Sequence, residues 1–481
     1  QMVTHQAKKM TEDALLAFRD RFELPLSDEQ VRAAEYYKPP DDSPEMRYLR
    51  ECRERLGGSL PVRRRTAEPL EIPPLETFKG QLEGTGEREI STTMAFVRVL
   101  AALLRDRRIG KHVIPIVPDE SRTFGMEGLF RQIGIYSPLG QLYQPQDSEQ
   151  LMFYKEDKHG QILEEGITEA GSISSFIAAG TSYSNHAVPM VPFFIYYSMF
   201  GYQRVGDLVW AAADSRARGF VLGGTAGRTT LNGEGLQHED GHSHVLFSVV
   251  PNCCAYDPAF SYEVAVIIHE GLRRMFAEQE DVFYYLTLMN ENYRHPPMPD
   301  GAEEGILRGM YLLREGGAKR SKKPRVQLLG SGTILNEVLA AADLLREDWG
   351  VEADVWSVTS FTELRREGIE AERWNMFHPL SEPHVPYVSE CLSDRGGAVI
   401  AATDYIRAFA DQIRQWVPGP YRVLGTDGFG RSDTREVLRR FFEVDRYCVT
   451  LAALRELDPA RAAEAIQRYE LDPDAPMPTT V

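Results

Sequence analysis

The sequence predicts an α/β protein in which two domains each contain a mostly parallel sheet covered by helices. Three observations support this fold class. Between residues 166 and 250, short apolar runs alternate with glycine-rich turns, as strands and their connections do in a parallel sheet. Residues 326–364 follow the order strand, glycine turn, helix, strand, which is a βαβ unit. The length of 481 residues is too great for one hydrophobic core, so two or three domains are expected.

The elements before residue 166 follow from local patterns. A helix is predicted over residues 8–22, where four apolar residues can share one face. The polar, proline-dotted stretch from Leu24 to about Leu75 is interpreted as a linker or a wrapping segment. A second helix is predicted near Thr92 to Arg105. The run from Val113 to Glu120 predicts a buried strand that ends in two acids, and open α/β sheets bind ligands at such strand ends.

The remaining elements are predicted in the same way. A helix over Tyr262 to Met275 and a strand over Val282 to Asn290 follow the alternating segment. The proline- and glycine-rich stretch 294–305 breaks the pattern and is the best candidate for a domain boundary. Beyond the βαβ unit, the apolar runs in 398–405 and 421–430 are expected to extend the second sheet.

Composition excludes several classes of protein. Lys plus Arg number 54 against 71 for Asp plus Glu, and a net charge of −17 disfavours general nucleic-acid binding. The longest apolar stretch, residues 187–200, is short and contains two prolines, so no membrane span is predicted. The N-terminal residues show no charged start followed by an apolar core, so no signal peptide is predicted. The five cysteines show no CxxC spacing, which favours a reducing compartment, and we expect the protein in the cytoplasm.

The densest chemistry lies in residues 231–244, where three histidines stand beside two acids. His238 and His242 are four residues apart, the spacing of two metal ligands on a helix. Three glycines disfavour a helix here, and the HExxH pattern is absent. An irregular loop that lines a polar site is therefore favoured, and a metal site built on His238, His242 and His244 remains the alternative.

Two glycine-rich turns look like nucleotide loops but fail the residue tests. A phosphate loop that begins at Gly223 would need glycine where Arg228 stands. The third glycine of a GxGxxG motif that begins at Gly330 would fall on Leu335. Both segments are interpreted as tight turns after strands. The adjacent residues Cys253 and Cys254 are expected to be small buried hydrophobes.

Glu169 is an acid in an apolar neighbourhood formed by Ile167, Ile173 and Phe176. A carboxyl group in such surroundings can hold or deliver a proton near neutral pH. The alternative is an ordinary acid at the start of a helix, where the helix dipole favours negative charge. The residues alone leave both interpretations open.

Four long motifs together resemble one family. The motifs are DESRTFGMEGLFRQIGIYSP, SMFGYQRVGDLVWAAADSRARGF, GGTAGRTTLNGEGLQHEDGHSH and GTDGFGRSDTRE. They resemble the homodimeric, thiamine-diphosphate-dependent pyruvate dehydrogenase (acetyl-transferring) component of the bacterial pyruvate dehydrogenase complex. The resemblance covers essentially the whole chain, which looks like the C-terminal half of that family. No GDG motif with a following ligand asparagine occurs, so the Mg²⁺ and diphosphate ligands are expected in a preceding N-terminal domain.

The resemblance implies roles for residues around the cofactor. Glu169 matches the catalytic glutamate that hydrogen-bonds the aminopyrimidine ring of thiamine diphosphate. Phe200 matches the aromatic residue that packs on that ring, and Tyr197 a neighbouring active-site tyrosine. Arg204 matches a residue in the proton-sharing path between the two active sites of the dimer.

It implies further roles on the substrate side. His238 matches a histidine close to the substrate. Asp119 and Glu120, the two strand-end acids, match residues of the active-site channel. His5 lies in THQAKKM, which resembles the family's mobile active-site loop, and would act in transfer of the acetyl group.

The resemblance also implies two transketolase-like domains. The pyrimidine-binding domain is expected over 70–298 and the C-terminal domain over 299–481, with 1–69 as a loop remnant, helix and linker. The implied function is oxidative decarboxylation of pyruvate and reductive acetylation of a lipoyl group. The implied partners are the N-terminal half, a second subunit, and the lipoyl domain and core of the dihydrolipoyl acetyltransferase component. Alternatives are transketolase-like ketol transfer, a metal hydrolase built on the histidine cluster, and a noncatalytic fragment.

Overall fold

A computed structural model of the chain describes residues 9–58, 64–118, 121–317 and 322–481. The chain divides into two compact units, residues 1–63 and 64–481. Within the described ranges, every helix is too short or too polar to cross a membrane.

The first unit contains three short helices: α1 Glu12–Arg21, α2 Asp28–Arg32 and α3 Pro44–Arg55. The helix predicted over 8–22 is confirmed as α1. It begins where the Thr11 side chain accepts a hydrogen bond from the Ala14 N–H at 3.3 Å.

The prediction of a linker from residue 24 is wrong where α2 and α3 form. Ser27 and Gln30 make a capping box at the start of α2, and Ser43 caps α3 ahead of Pro44. These local signals outweigh the polar composition. Among the described residues of this unit, Val31 is the only buried hydrophobic side chain, so the expectation that the stretch lacks a core of its own is confirmed.

The second unit opens with an extended strap, residues 64–75, that runs along its neighbours. The Leu70 N–H donates to the Phe276 carbonyl at 3.0 Å, and the Ala67 N–H donates to Gln279 Oε1 at 2.8 Å. The predicted wrapping role is confirmed for this part of the stretch.

The elements that follow are α4 Lys79–Leu82, β1 Glu89–Ile90, α5 Thr92–Arg105, β2 Val113–Val117, α6 Gly128–Gln132, β3 Ile135–Tyr136, β4 Glu156–Asp157, β5 Leu163–Glu164, α7 Glu169–Gly180, α8 Ser182–His186, β6 Val191–Tyr197, α9 Tyr202–Asp214, β7 Phe220–Gly224, α10 Ser243–Phe247, β8 Cys253–Tyr256, α11 Ser261–Leu272, β9 Phe283–Thr287 and β10 Tyr293–Arg294.

Six of these strands form one parallel sheet in the order β5-β2-β6-β7-β9-β8. The chain enters at β2, adds β5 on one side and then continues with β6 on the other side. The order therefore reverses between β2 and β6. In doubly wound sheets this reversal opens a crevice at the carboxyl ends of the two strands, and ligands bind there.

The rest of the unit forms a second, mixed sheet. Its elements are α12 Ala302–Arg308, β11 Met310–Arg314, β12 Arg325–Gly330, α13 Ile334–Trp349, β13 Glu352–Val358, α14 Phe361–Phe377, α15 Tyr387–Leu392, β14 Ala398–Ala402, α16 Arg407–Ala410, β15 Tyr421–Leu424, α17 Arg435–Phe441, α18 Arg446–Leu457 and α19 Pro459–Arg468. The strand order is β11-β13-β12-β14-β15, and only β11 is antiparallel to its neighbour.

The predicted fold class is confirmed. Both sheets are mostly parallel and covered by helices, and the βαβ unit is β12, α13 and β13. Sequence reasoning missed β11, which adds the antiparallel strand to the second sheet. The predicted division at 298–299 lies between β10 and α12.

Candidate active site

A cavity of about 210 Å³ opens at the carboxyl ends of β2 and β6, where the strand order reverses. Its walls come from segments that are distant in sequence: the end of β2, the start of α7, the end of β6, the start of α9, and the loop after β7. The lining residues are Pro118, Phe124, Ile167, Glu169, Tyr196, Tyr197, Phe200, Arg204 and His238.

Glu169 is the first residue of α7, and the side chain of Thr168 caps that helix by accepting from the Gly171 N–H at 3.2 Å. The Glu169 side chain is only 11% exposed and faces the cavity. The two interpretations of Glu169, an acid at the start of a helix and an acid that lines a site, therefore both fit its position. It starts a helix, whose dipole favours its charge, and it lines the cavity.

Ile173 and Phe176, on the same helix, are buried as expected, but Ile167 is 76% exposed. The apolar surroundings predicted for Glu169 are thus incomplete. They consist of the buried face of α7 on one side and the cavity on the other.

Arg204 is the charged partner of Glu169. Its Nη1 donates to Glu169 Oε1 at 3.0 Å, and its guanidinium lies 4.2 Å from the centre of the Phe200 ring. The Arg204 side chain is 47% exposed, so the pair lies at the edge of the cavity with the carboxylate on the inner side. Stacking on Phe200 and pairing with Glu169 together fix the guanidinium plane.

An aromatic wall lies beside this pair. The ring centres of Tyr197 and Phe200 are 5.2 to 5.3 Å from the His238 imidazole, and Phe124 lies 5.5 Å from Tyr197. Such tilted and edge-on contacts are favourable for aromatic rings. The cavity therefore has one polar corner, made by Glu169 and Arg204, and one flat aromatic side.

Two buried polar atoms in this wall have no partner among the described residues. They are His238 Nδ1 and the hydroxyl oxygen of Tyr196. Buried polar atoms in native proteins are nearly always hydrogen-bonded, so unpaired ones at a cavity point to a ligand or to water. A carboxylate, an imidazole and an aromatic face are also the groups that suit a planar nitrogen heterocycle.

The three histidines of the loop do not converge. His242 contacts Gln203 Oε1 at 3.2 Å, away from His238. His244 is fully buried, where its Nε2 contacts Thr287 Oγ1 at 2.8 Å and its ring stacks on Phe409. Burial lowers the pKa of His244 to about 3, so this imidazole is neutral.

In the described part of the chain, no three His, Cys, Asp or Glu side chains are arranged to hold a metal ion. The favoured prediction of an irregular loop agrees with the structure, in which only a short turn at 236–238 precedes α10.

The structure brings five predicted site residues to one cavity: Glu169, Tyr197, Phe200, Arg204 and His238. Their chemical roles stay predictions. His5, Asp119 and Glu120 lie outside the described residues. Sequence reasoning missed Phe124 and Tyr196 as lining residues, because neither stands out from the other aromatic residues of its segment.

Cys253 and Cys254 are buried on β8, which confirms the prediction of small buried hydrophobes. Burial raises the pKa of Cys254 to about 12, so its thiol is not a nucleophile at neutral pH. The two glycine segments are the ends of β7 and β12, which confirms that both are turns after strands.

Comparison with known families identifies two regions. Residues 70–296 match a family model described as the pyruvate dehydrogenase E1 component middle domain. Residues 309–445 match one described as the transketolase-like C-terminal domain.

Curated relatives match along the whole chain. The pyruvate dehydrogenase E1 component of Cupriavidus necator is 62% identical over 100% of this chain and 54% of its own length. The protein of the same name from Escherichia coli K12 is 55% identical over 98% of this chain and 54% of its own length. The chain thus spans about half the length of the curated relatives it matches.

Solved structures share the fold at low identity. A transketolase from Campylobacter jejuni has a TM-score of 0.59 at 15% identity, over 92% of this chain and 59% of that one. A structure titled as a split-gene transketolase, inactive β4 tetramer, has a TM-score of 0.52 at 16% identity, over 76% of this chain and 98% of that one.

Proposed function

Because this chain belongs to the pyruvate dehydrogenase E1 component family, we propose that it contributes half of an active site that decarboxylates pyruvate with thiamine diphosphate. The acetyl unit is then transferred to the lipoyl group of an acetyltransferase component. The observation that carries this proposal is the near-buried Glu169 beside Arg204 and the aromatic wall, at the carboxyl ends of β2 and β6.

The residues present suit the cofactor. Glu169 would bind a ring nitrogen of the aminopyrimidine through its carboxyl group, and Phe200 with Tyr197 would pack along the ring. When bound, thiamine diphosphate supplies a carbon nucleophile and an electron sink for the loss of CO₂. The diphosphate and Mg²⁺ would be held by the N-terminal half and not by the cavity wall described above.

The chain's own groups then have distinct tasks. The Glu169 carboxyl, largely shielded from water, holds or releases a proton at Oε1 or Oε2. Arg204 orients that carboxylate through the hydrogen bond from its Nη1 to Glu169 Oε1. His238 lines the same cavity, and its Nδ1 has no partner among the described residues, so it can bind or protonate an oxygen of the substrate. The apolar ring faces exclude water from the reacting centre.

The test is Glu169→Gln in the full-length protein. We expect the variant to fold normally and to exchange the C2 proton of bound thiamine diphosphate roughly 100-fold more slowly or worse. Glu303→Gln, an exposed acid in the first turn of α12, is the matched control and should exchange at the normal rate. Near-normal exchange in Glu169→Gln would leave this residue with only its role at the start of α7.

A second candidate is a chain with no activity of its own. It is favoured by the half-length coverage of the relatives and by the split-gene transketolase chain titled inactive. We expect calorimetry of the 481-residue chain alone to show poor binding of thiamine diphosphate with Mg²⁺. Adding the N-terminal half should restore binding. Tight binding by this chain alone would contradict the assignment of the diphosphate site to the other half.

A further inference from the structure

The loop that carries His238 is held by the C-terminal part of the same unit. Residues 226–242, here called the histidine loop, pack against residues 426–433, here called the bracing loop. Four hydrogen bonds join them: Arg228 Nη1 to the carbonyls of Thr426 (2.6 Å) and Gly428 (2.5 Å), the Gly233 N–H to the Asp433 carbonyl (3.0 Å), and the Arg431 N–H to Glu239 Oε2 (2.6 Å).

Glu239, next to His238, is the side chain through which the bracing loop reaches the site. The residue is 1% exposed, and its Oε1 is buried with no partner among the described residues. Burial raises the pKa of Glu239 to about 7. The negative charge of Asp404 raises this pKa as well, whereas the hydrogen bond from the Arg431 N–H and the positive charge of Arg228 lower it. A protonated Glu239 carboxyl is neutral, and a neutral group costs less to bury than a charged one. A glutamine amide is also neutral and has the same shape.

Gly430 lies where the two loops have no room for a side chain between them. A Cβ at this position would collide with the Leu236 carbonyl oxygen and lie 2.9 Å from the Cβ of Glu239. The turn 236–238 ends in His238 itself. The bracing loop therefore has its backbone pressed directly against the turn that places the imidazole.

Within the described ranges, few other contacts constrain the His238 ring. Its Nδ1 has no hydrogen-bond partner among the described residues, and its ring contacts are with Tyr197 and Phe200. These tilted and edge-on ring contacts are less directional than a hydrogen bond and fix the ring less firmly. The backbone of the turn thus determines where the imidazole lies in the cavity.

We propose that Glu239 and Gly430 are positioning residues that set the location of His238 from the C-terminal side of the unit. The role of His238 toward substrate rests on the proposed function, whereas the physical coupling between the bracing loop and the imidazole does not. The two can therefore be tested separately.

The first experiment is a double-mutant cycle in the full-length protein with Gly430→Ala and His238→Ala. Gly430→Ala should lower kcat for pyruvate by about 10- to 100-fold, as small misplacements of catalytic groups do. In the His238→Ala background the same change should cost less than about threefold, because both act through one group. Gly80→Ala, where an added Cβ meets no atom within 4 Å, is the matched control and should change nothing.

An equal loss in both backgrounds would overturn the proposal. If Gly430→Ala does not fold, the same cycle is run with Glu239→Ala, which removes the acceptor for the Arg431 N–H. Glu239→Gln, which keeps the shape and an acceptor oxygen, should restore activity to within about threefold of the parent protein. Failure of the glutamine variant to rescue would likewise overturn the positioning role.

The second experiment does not depend on activity. In protein labelled with ¹³C-histidine, the His238 ring resonance, assigned with His238→Ala, should shift in Gly430→Ala and in Glu239→Ala but not in Gly80→Ala. An unmoved resonance would contradict the coupling. If the resonance shifts but the parent protein does not decarboxylate pyruvate, the coupling stands and the proposed function fails.

Discussion

The central strands of the two sheets end in opposite ways. At the carboxyl ends of β2 and β6, the polar groups face a cavity and several are partly exposed. At the carboxyl ends of β12 and β14, Ser331, Thr403 and Asp404 are fully buried. The same architecture therefore produces an open crevice in one sheet and a closed, hydrogen-bonded contact in the other.

Asp404 shows how the second set of strand ends is closed. Its Oδ1 accepts from the Thr229 N–H at 2.9 Å and from the Thr229 hydroxyl at 2.6 Å, and its Oδ2 accepts from the Thr230 hydroxyl at 2.6 Å. Gly227, with φ of +88°, has no room for a Cβ because Asp404 lies against it. The loop that follows β7 of the first sheet thus covers the strand ends of the second sheet, where a ligand would bind if they were open.

This contrast teaches that strand ends indicate a site only where nothing else covers them. It also predicts which property a substitution will change. Substitutions at the open ends should change activity and leave stability nearly intact. Substitutions at the covered ends should chiefly change stability.

The largest expected effect is at a covered end. Asp404→Ala removes the acceptor for three hydrogen bonds and leaves buried donors unpaired, so the free energy of unfolding should fall by about 3 kcal/mol or more. Denaturant titration measures it. Asp343→Ala, which removes surface ion pairs of α13, should cost less than about 1 kcal/mol. Equal losses would erase the contrast.

A covered strand end at the edge of the first sheet should make stability depend on pH. Asp257 follows β8, and burial raises its pKa from 3.8 to about 7. Because the folded state favours the protonated form, the stabilising contribution is complete below pH 4 and is lost as pH rises through 7. The loss is on the order of 4 kcal/mol at most.

Unfolding of Asp257→Asn and of the parent protein should be compared across pH 4 to 8. The difference between their free energies of unfolding isolates Asp257 from the other buried acids whose pKa is raised, among them Glu239 and Glu263. The free energy of unfolding of the variant should increase relative to that of the parent protein as pH rises. A difference that stays constant with pH would show that Asp257 does not titrate in this range.

At the open end, Arg204→Lys tests the opposite behaviour. Lysine keeps the charge but loses the planar contact with Phe200 and the fixed geometry at Glu169, so activity should fall by about tenfold or more. Unfolding should change by less than about 0.5 kcal/mol, because the Arg204 side chain is about half exposed and lysine keeps its charge. Arg308→Lys is the matched control, since Arg308 also pairs with a glutamate and stacks on a tyrosine, but away from the cavity. A large loss of stability in Arg204→Lys would show that this end is structural.

The smallest effect is expected for Ser331→Ala. Its hydroxyl lies 3.1 Å from the Thr403 hydroxyl, and the loss of this buried hydrogen bond should cost about 1 kcal/mol. Activity should stay within twofold of the parent value. Ser393→Ala, an exposed hydroxyl bonded to the Ser389 carbonyl, should cost less than about 0.5 kcal/mol. A fall in activity without a fall in stability would show that Ser331 behaves like a residue at an open strand end, contrary to this prediction.

The sequence alone determined the elements whose signals are local and periodic. The helix near Thr92 to Arg105 has the predicted bounds, and β2 and the β12–α13–β13 unit lie where apolar runs and glycine turns predicted them. Runs of residues buried on both faces need no distant partner to be recognised. The helices α2 and α3 also carry local caps, but these are short signals within a polar stretch and composition obscured them.

The long motifs identified the family and its candidate residues, but not their arrangement. Only the tertiary structure shows Glu169 beside Arg204, 35 positions later in the chain, and His238 in the lining of the same cavity. It also decided that His242 and His244 face elsewhere, and that the bracing loop reaches Glu239 from almost 200 residues away. Such contacts depend on which strand ends are covered and which are open. That outcome is set by the packing of two sheets against each other, and no spacing within one segment records it.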